Sequence, residues 1–165
     1  MDLKNALVQA IQAERNGHGF YMMAANSTED GKGKDIFHSL AAEELNHMNF
    51  LRGQYDSIVK TGLPDMTLRL GNRIELEGGF PIFSESLISR ISSAHYEMSA
   101  LAIGIQLELD AMNFYKTQAD AATDSYIKKF FLELAEWESG HYNALLRQHD
   151  SLKEDYWSDS GFAPF

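Results

Sequence analysis

The amino-acid sequence predicts an all-α protein, a four-helix bundle made of two repeated helical hairpins joined by a long crossover. Three observations carry that prediction: an internal repeat, apolar stripes at helical spacing within each copy, and punctuation residues gathered between the copies. Shifted by 94 positions, residues 2–60 fall on residues 96–154 with 20 identities in 59 positions and no gap. Ala6, Leu7, Ile11, Gln12 and Glu14 meet Ala100, Leu101, Ile105, Gln106 and Glu108. Farther along, Phe37, Leu40, Ala41, Glu44 and His47 meet Phe131, Leu134, Ala135, Glu138 and His141. An ungapped match fixes equal connection lengths in both copies, as two copies of one supersecondary unit require.

The first hairpin is expected over about residues 2–60. Its first helix carries Leu3, Leu7, Ile11, Glu14, His18, Tyr21 and Ala25, each three or four residues after the last, which is the helical period. Asn26-Ser27-Thr28 and Asp30-Gly31-Lys32-Gly33 then supply cap and breaker residues. The second helix repeats the spacing with Phe37, Leu40, Ala41, Glu44, His47, Met48 and Leu51. Residues 61–83 hold Gly62, Pro64, Gly71, Gly78, Gly79 and Pro81, too much punctuation for a helix. A crossover of that length runs along a bundle and lets the second hairpin start from the opposite end. That hairpin is expected over about 84–151, with Ser84 as a cap before a lead-in helix. Its stripes are Leu101, Ile105, Glu108, Met112, Tyr115 and then Phe131, Leu134, Glu138, His141, Leu145. Residues 152–165 form an aromatic C-terminal tail, expected to pack against the bundle or a second subunit.

Length and composition bound the function. The 165 residues suit one domain, and a formal net charge of −10 excludes the basic footprint that nucleic acid or an anionic membrane surface needs. Cysteine is absent, which excludes disulfides, thiolate metal sites and thiol redox chemistry. No segment reaches the roughly 20 apolar residues of a membrane span, and MDLKNALVQAIQAERNG is not a secretory leader. A cytoplasmic location is the resulting expectation.

The informative feature is the polar residues on the inward stripes. Glu14, Glu44, His47, Glu108, Glu138 and His141 all sit where core residues belong. An ionised carboxylate in an apolar interior is costly unless a partner neutralises it. A pair of divalent metals neutralises all four carboxylates, −4 against +4. Glu-x-x-His places both side chains on one helix face, and the motif occurs twice, at Glu44–His47 and Glu138–His141. Glu14 to Glu44 and Glu108 to Glu138 are both 30 residues, which places the glutamates at one level of an antiparallel bundle. Carboxylates with imidazole suit iron or manganese. Two such ions, iron, manganese or a mixed iron–manganese pair, are the expected cofactor, with zinc the less favoured alternative.

The stretches AIQAERNGHGFYMMAAN, LAAEELNHMNFL, GIQLELDAMNFYKTQAD and LAEWESGHYNALL resemble the rubrerythrin-like branch of the ferritin-like di-iron carboxylate superfamily. The resemblance covers both hairpins. It implies that Glu44 and Glu138 bridge the metals, that Glu14 with His47 holds one ion, and that Glu108 with His141 holds the other. Two departures stand out. The better-known rubrerythrins carry a rubredoxin domain with a four-cysteine iron site, and they carry an extra carboxylate where this chain has Ala111. The symmetric six-ligand set is closer to a bacterioferritin-type centre.

Other polar residues receive plainer readings. Tyr21 and Tyr115 each lie seven residues after the lone glutamate of their helix, placed either to donate to a carboxylate ligand or simply to pack in the core. His18 reads as a core or rim histidine, because its repeat partner is Met112. His38, His95 and His149 read as structural or exposed, Glu97 as too far up its helix to reach the metals, Glu43 and Glu136 as solvated. Trp137 and the methionines read as packing residues. The expected function is a di-iron oxidoreductase that reduces dioxygen or hydrogen peroxide, with a separate electron-donor protein and a homodimeric assembly. A ferroxidase or iron-handling role, and a non-catalytic structural metal site, are the alternatives.

Overall fold

The computed structural model describes residues 2–71, 81–159 and 161. Among them the chain forms four long helices and no strand: α1 (Leu3–Ser27), α2 (Gly31–Thr61), α4 (His95–Ala121) and α5 (Ser125–Asp159), with a short α3 (Glu85–Ile88) and a 3₁₀ turn (Ile91–Ser93) leading into α4. The all-α bundle of two hairpins is therefore the observed architecture. No helix among the described residues is long and apolar enough to cross a membrane.

Caps explain where the helices begin. The Asp2 side chain accepts from the Asn5 amide at the start of α1, and Asp30 accepts from the Gly33 amide at 2.8 Å at the start of α2. Asp124, the repeat partner of Asp30, accepts from the Tyr126 and Ile127 amides at 2.9 Å before α5. Asp30 also accepts from the Ser84 hydroxyl, so the first interhelical turn is tied to the start of α3. Gly33 must be glycine there, because a Cβ would lie 2.5 Å from the Phe83 ring. Gly62 closes α2 with φ of 77°, the left-handed conformation of a helix C-cap.

Two apolar clusters show how the helices run. One joins Tyr21 and Ala25 of α1, Phe37 and Leu40 of α2, Leu101 of α4, and Leu145 and Leu152 of α5. The other joins Leu7 of α1, Leu51 of α2, Tyr115 of α4, and Phe131 and Leu134 of α5. The end of α1 thus meets the start of α4, so these helices are antiparallel, as are α2 and α5. The repeat exchanges the two clusters: Tyr21, Phe37 and Leu40 in one become Tyr115, Phe131 and Leu134 in the other. Each fully buried Leu or Phe contributes about 1.5–3 kcal/mol over exposure. Together these residues offset the cost of the polar band between the clusters.

The crossover must travel from one end of the bundle to the other. One pair of repeated glutamines holds both of its ends. Gln54 receives a hydrogen bond from the Asp65 amide at 3.0 Å and donates to the Asp65 carbonyl at 2.9 Å. Gln148, its repeat partner, accepts from the amides of Ile82 and Phe83. The middle of the expected crossover, residues 72–80, lies outside the described residues.

α5 runs past residue 151 into the stretch read as tail. Residues 152–159 continue α5, because Leu145, Gln148 and Leu152 extend the inward stripe at helical spacing and Leu152 is fully buried. On this last stretch the Lys153 ammonium sits 4.5 Å from the centre of the Trp157 ring. The packing expected of Phe162, Ala163, Pro164 and Phe165 lies outside the described residues.

Candidate metal centre

Between the two apolar clusters, each long helix turns acids or imidazoles inward. Glu14 comes from the middle of α1, Glu44 and His47 from α2, Glu108 from α4, Glu138 and His141 from α5. None is more than 4% exposed. The structure brings all six together as two overlapping sets of four, Glu14–Glu44–His47–Glu138 and Glu44–Glu108–Glu138–His141, whose donor atoms lie within 4.8 Å of one another in each set. Glu44 and Glu138 belong to both sets.

Both imidazoles point Nδ1 into the cluster. His47 Nδ1 lies 3.2 Å from Glu14 Oε2 and 3.1 Å from Glu138 Oε1. His141 Nδ1 lies 3.3 Å from Glu138 Oε2, 3.5 Å from Glu44 Oε1 and 3.6 Å from Glu108 Oε1. The two rings are nearly parallel, with centroids 6.1 Å apart and planes 18° apart. Tyrosines hold the lone glutamates across the hairpins: Tyr21 donates to Glu108, and Tyr115 donates to Glu14.

Electrostatics follow from crowding acids in a dry site. Burial, reinforced by the charges of Glu138, Glu14 and Glu108, pushes Glu44 well above the usual carboxylate range. Burial also pushes Glu108 up to about 7. Glu138 goes the other way: burial opposes its charge, but His47 and His141 outweigh that and hold it low. Burial alone would lower His47, yet the Glu138 and Glu14 carboxylates lift it to about 10. Burial and the neighbouring Glu108 and Glu14 charges raise Tyr21 and Tyr115, which stay protonated donors.

The donor set fits a metal pair on its own chemistry. Glu44 Oε1, both Glu138 oxygens and His141 Nδ1 are buried and lack a hydrogen-bond partner among the described residues. Orphaned buried acceptors are rare and costly. These converge on one another, an arrangement that suits shared cations better than mutual hydrogen bonding.

Comparison with known families now has a structure to stand on. The Rubrerythrin family model matches residues 5–102 and 99–160. The chain belongs to the rubrerythrin family. No curated protein and no solved structure gave a match.

The centre opens on one side. A cleft of ≈ 260 Å³ between α1 and α4 reaches Glu14, Glu44 and Glu108. Small residues line its walls: Ala13 and Gly17 from α1, Ala111 from α4. Gly17 and Ala111 are repeat partners. A Cβ on Gly17 would lie 3.0 Å from Glu44 Oε2, so glycine keeps room beside that carboxylate.

The remaining candidates fall outside the cluster. His18 Nδ1 lies 2.8 Å from the Ala41 carbonyl, linking α1 to α2. Glu97 is buried and accepts from Thr28 Oγ1 at 2.8 Å, tying α4 to the turn after α1. His38 and His95 are exposed, and His149 lies 3.5 Å from Asp150. Glu136 is exposed. Glu43 corrects the expectation of a solvated side chain: it is 1% exposed, and its Oε2 lies 2.6 Å from His141 Nε2. A signal for it existed, since Glu43 falls three residues after Leu40 and four before His47, on the edge of the inward stripe.

Proposed function

We propose that this rubrerythrin-family protein is a di-iron oxidoreductase that reduces dioxygen or hydrogen peroxide with electrons from a separate donor protein. The observation that carries the reading is the convergence of six buried donor residues, five of their side-chain atoms without a hydrogen-bond partner among the described residues, beside a cleft that reaches Glu14, Glu44 and Glu108. Glu44 and Glu138 are assigned as bridges because they belong to both sets. Glu14 with His47 then serves one ion, and Glu108 with His141 the other. Four carboxylates balance two divalent charges, and manganese in one or both positions fits the same donors. Bound iron supplies one-electron redox chemistry toward a small oxidant.

The chain's own part is positional. Tyr21 and Tyr115 fix the orientation of Glu108 and Glu14 by donating to them. The flanking apolar clusters keep water from the sides, and the cleft between α1 and α4 supplies a path for a diatomic or peroxide-sized molecule. These 165 residues hold no cysteine for a relay of the rubredoxin kind, and a separate donor is part of the proposal.

Elemental analysis of protein purified without added metal should return about two iron ions per chain. Stopped-flow mixing of the Fe(II) protein with dioxygen or peroxide should develop an Fe(III) absorption band. A spectrum unchanged by both oxidants would sink the redox reading and favour a structural metal site.

A further inference from the structure

The repeat makes the halves of the centre nearly equivalent, and one pair of positions breaks the equivalence. The residue before each Glu-x-x-His motif is Glu43 in the first copy and Trp137 in the second. Each reaches the imidazole of the opposite hairpin. Glu43 on α2 places its carboxylate 2.6 Å from Nε2 of His141 on α5. Trp137 on α5 packs edge-to-face on His47 of α2, ring centroids 4.9 Å apart and planes at 72°. One imidazole is backed by an acid and the other by an indole, and both backing residues are buried. His47 Nε2, correspondingly, is buried with no hydrogen-bond partner among the described residues.

The chemical consequence differs at the two rings. The 2.6 Å contact to Glu43 engages Nε2 of His141. Nδ1 of that ring is left facing Glu44, Glu108 and Glu138. The hydrogen bond also fixes the ring's orientation and makes it a stronger donor, as outer partners of metal-bound histidines do. The indole supplies packing to His47 and no acceptor.

We infer that Glu43 is a positioning residue that makes the two metal positions inequivalent, so that a divalent cation binds more tightly at the His141–Glu108 position than at the His47–Glu14 position. The inference rests on the two-metal reading above. Its test is titration of the metal-free, full-length protein with Co(II), followed by calorimetry and by the visible absorption of bound cobalt. The unaltered protein should show two resolved steps totalling two ions per chain. Glu43→Leu should weaken the tighter step about 10–100-fold and leave the weaker step in place. Glu43→Gln keeps an acceptor oxygen without the charge, and should weaken the tighter step by less. Should the leucine variant not fold, selective weakening by the glutamine variant still carries the inference. Trp137→Phe should leave the tighter step where it was. A single affinity in the unaltered protein, or Glu43 variants that weaken both steps equally or neither, would overturn the inference while leaving the metal pair standing. Uptake of fewer than two cobalt ions by the unaltered protein overturns the two-metal reading itself.

Discussion

Tyr115 on α4 donates its hydroxyl to Glu14 on α1, and Tyr21 on α1 returns the same bond to Glu108 on α4. Each tyrosine follows the lone glutamate of its own helix by seven residues, about two helical turns. It serves the other helix's glutamate, because α1 and α4 run antiparallel. The two bonds tie the hairpins together at the level of the acids. They also give a physical reason for both residue types to recur at the repeat distance.

Removing either phenol should cost stability in the metal-free protein. Tyr115→Phe takes the phenol donor from a carboxylate that is 1% exposed, and a buried acceptor left short of a partner costs about 1–3 kcal/mol. Tyr21→Phe should cost about as much, since the geometry is repeated. Urea unfolding of the chelated single variants measures both. A loss at one tyrosine and none at the other would contradict the reciprocal arrangement.

The shifted acids predict how the metal-free protein responds to pH. Glu108 rises from 4.5 to about 7, chiefly through burial, and His47 rises from 6.5 to about 10 because Glu138 and Glu14 overcome burial. A group whose folded pKa is raised gives stability that is complete below its unfolded pKa and lost as pH rises through the folded value. Glu108 therefore weakens the metal-free fold between about pH 4.5 and 7, and His47 between 6.5 and about 10. Bound cations replace those protons, so the loaded protein should hold its Tm where the chelated protein loses several degrees. Thermal melts with and without chelator at about pH 5 and about pH 8 test this. Parallel curves would mean that the acids do not share a cation.

Much of this was legible because the sequence breaks its own pattern. Phe37, Leu40, Leu51 and their partners announce helices by spacing alone, and Glu14, Glu44, Glu108 and Glu138 stand out as acids on those stripes. What stayed hidden depends on which helices are neighbours. Glu43 sits next to Glu44 at the edge of the stripe, and its contact with His141 of α5 shows only once the helices are packed. Trp137 looked like packing and is packing, but its partner is His47. The aromatic composition after residue 151 masked the continuation of the stripe through Gln148 and Leu152, so the last turns of α5 read as tail.

The repeated glutamines make a prediction about the crossover. Gln148 Oε1 accepts from the amides of Ile82 and Phe83, whose side chains are 2% and 0% exposed. Gln148→Leu keeps the volume and removes that acceptor, at an expected cost of about 1–3 kcal/mol. Limited proteolysis should then cut the crossover faster near residue 82, while Gln54→Leu should loosen it near Asp65. Unchanged cleavage in both variants would show that the glutamines do not anchor the segment.

Ala111 tests the cleft as the route to the centre. It lines the opening between α1 and α4, opposite Gly17, and its side chain is absent from the donor sets. Ala111→Leu adds volume to the wall without touching a donor, and leucine is nearly as good a helix former as alanine. The variant should therefore fold and take up the same metal content. Its reaction with dioxygen or peroxide in the Fe(II) form should slow by at least about tenfold, equivalent to about 1.4 kcal/mol on the barrier. Gly17→Ala is a poorer probe, since its new Cβ would lie 3.0 Å from Glu44 Oε2 and disturb the carboxylate directly. An Ala111→Leu protein with full metal content and an unchanged oxidation rate would show that the oxidant reaches the glutamates by another path.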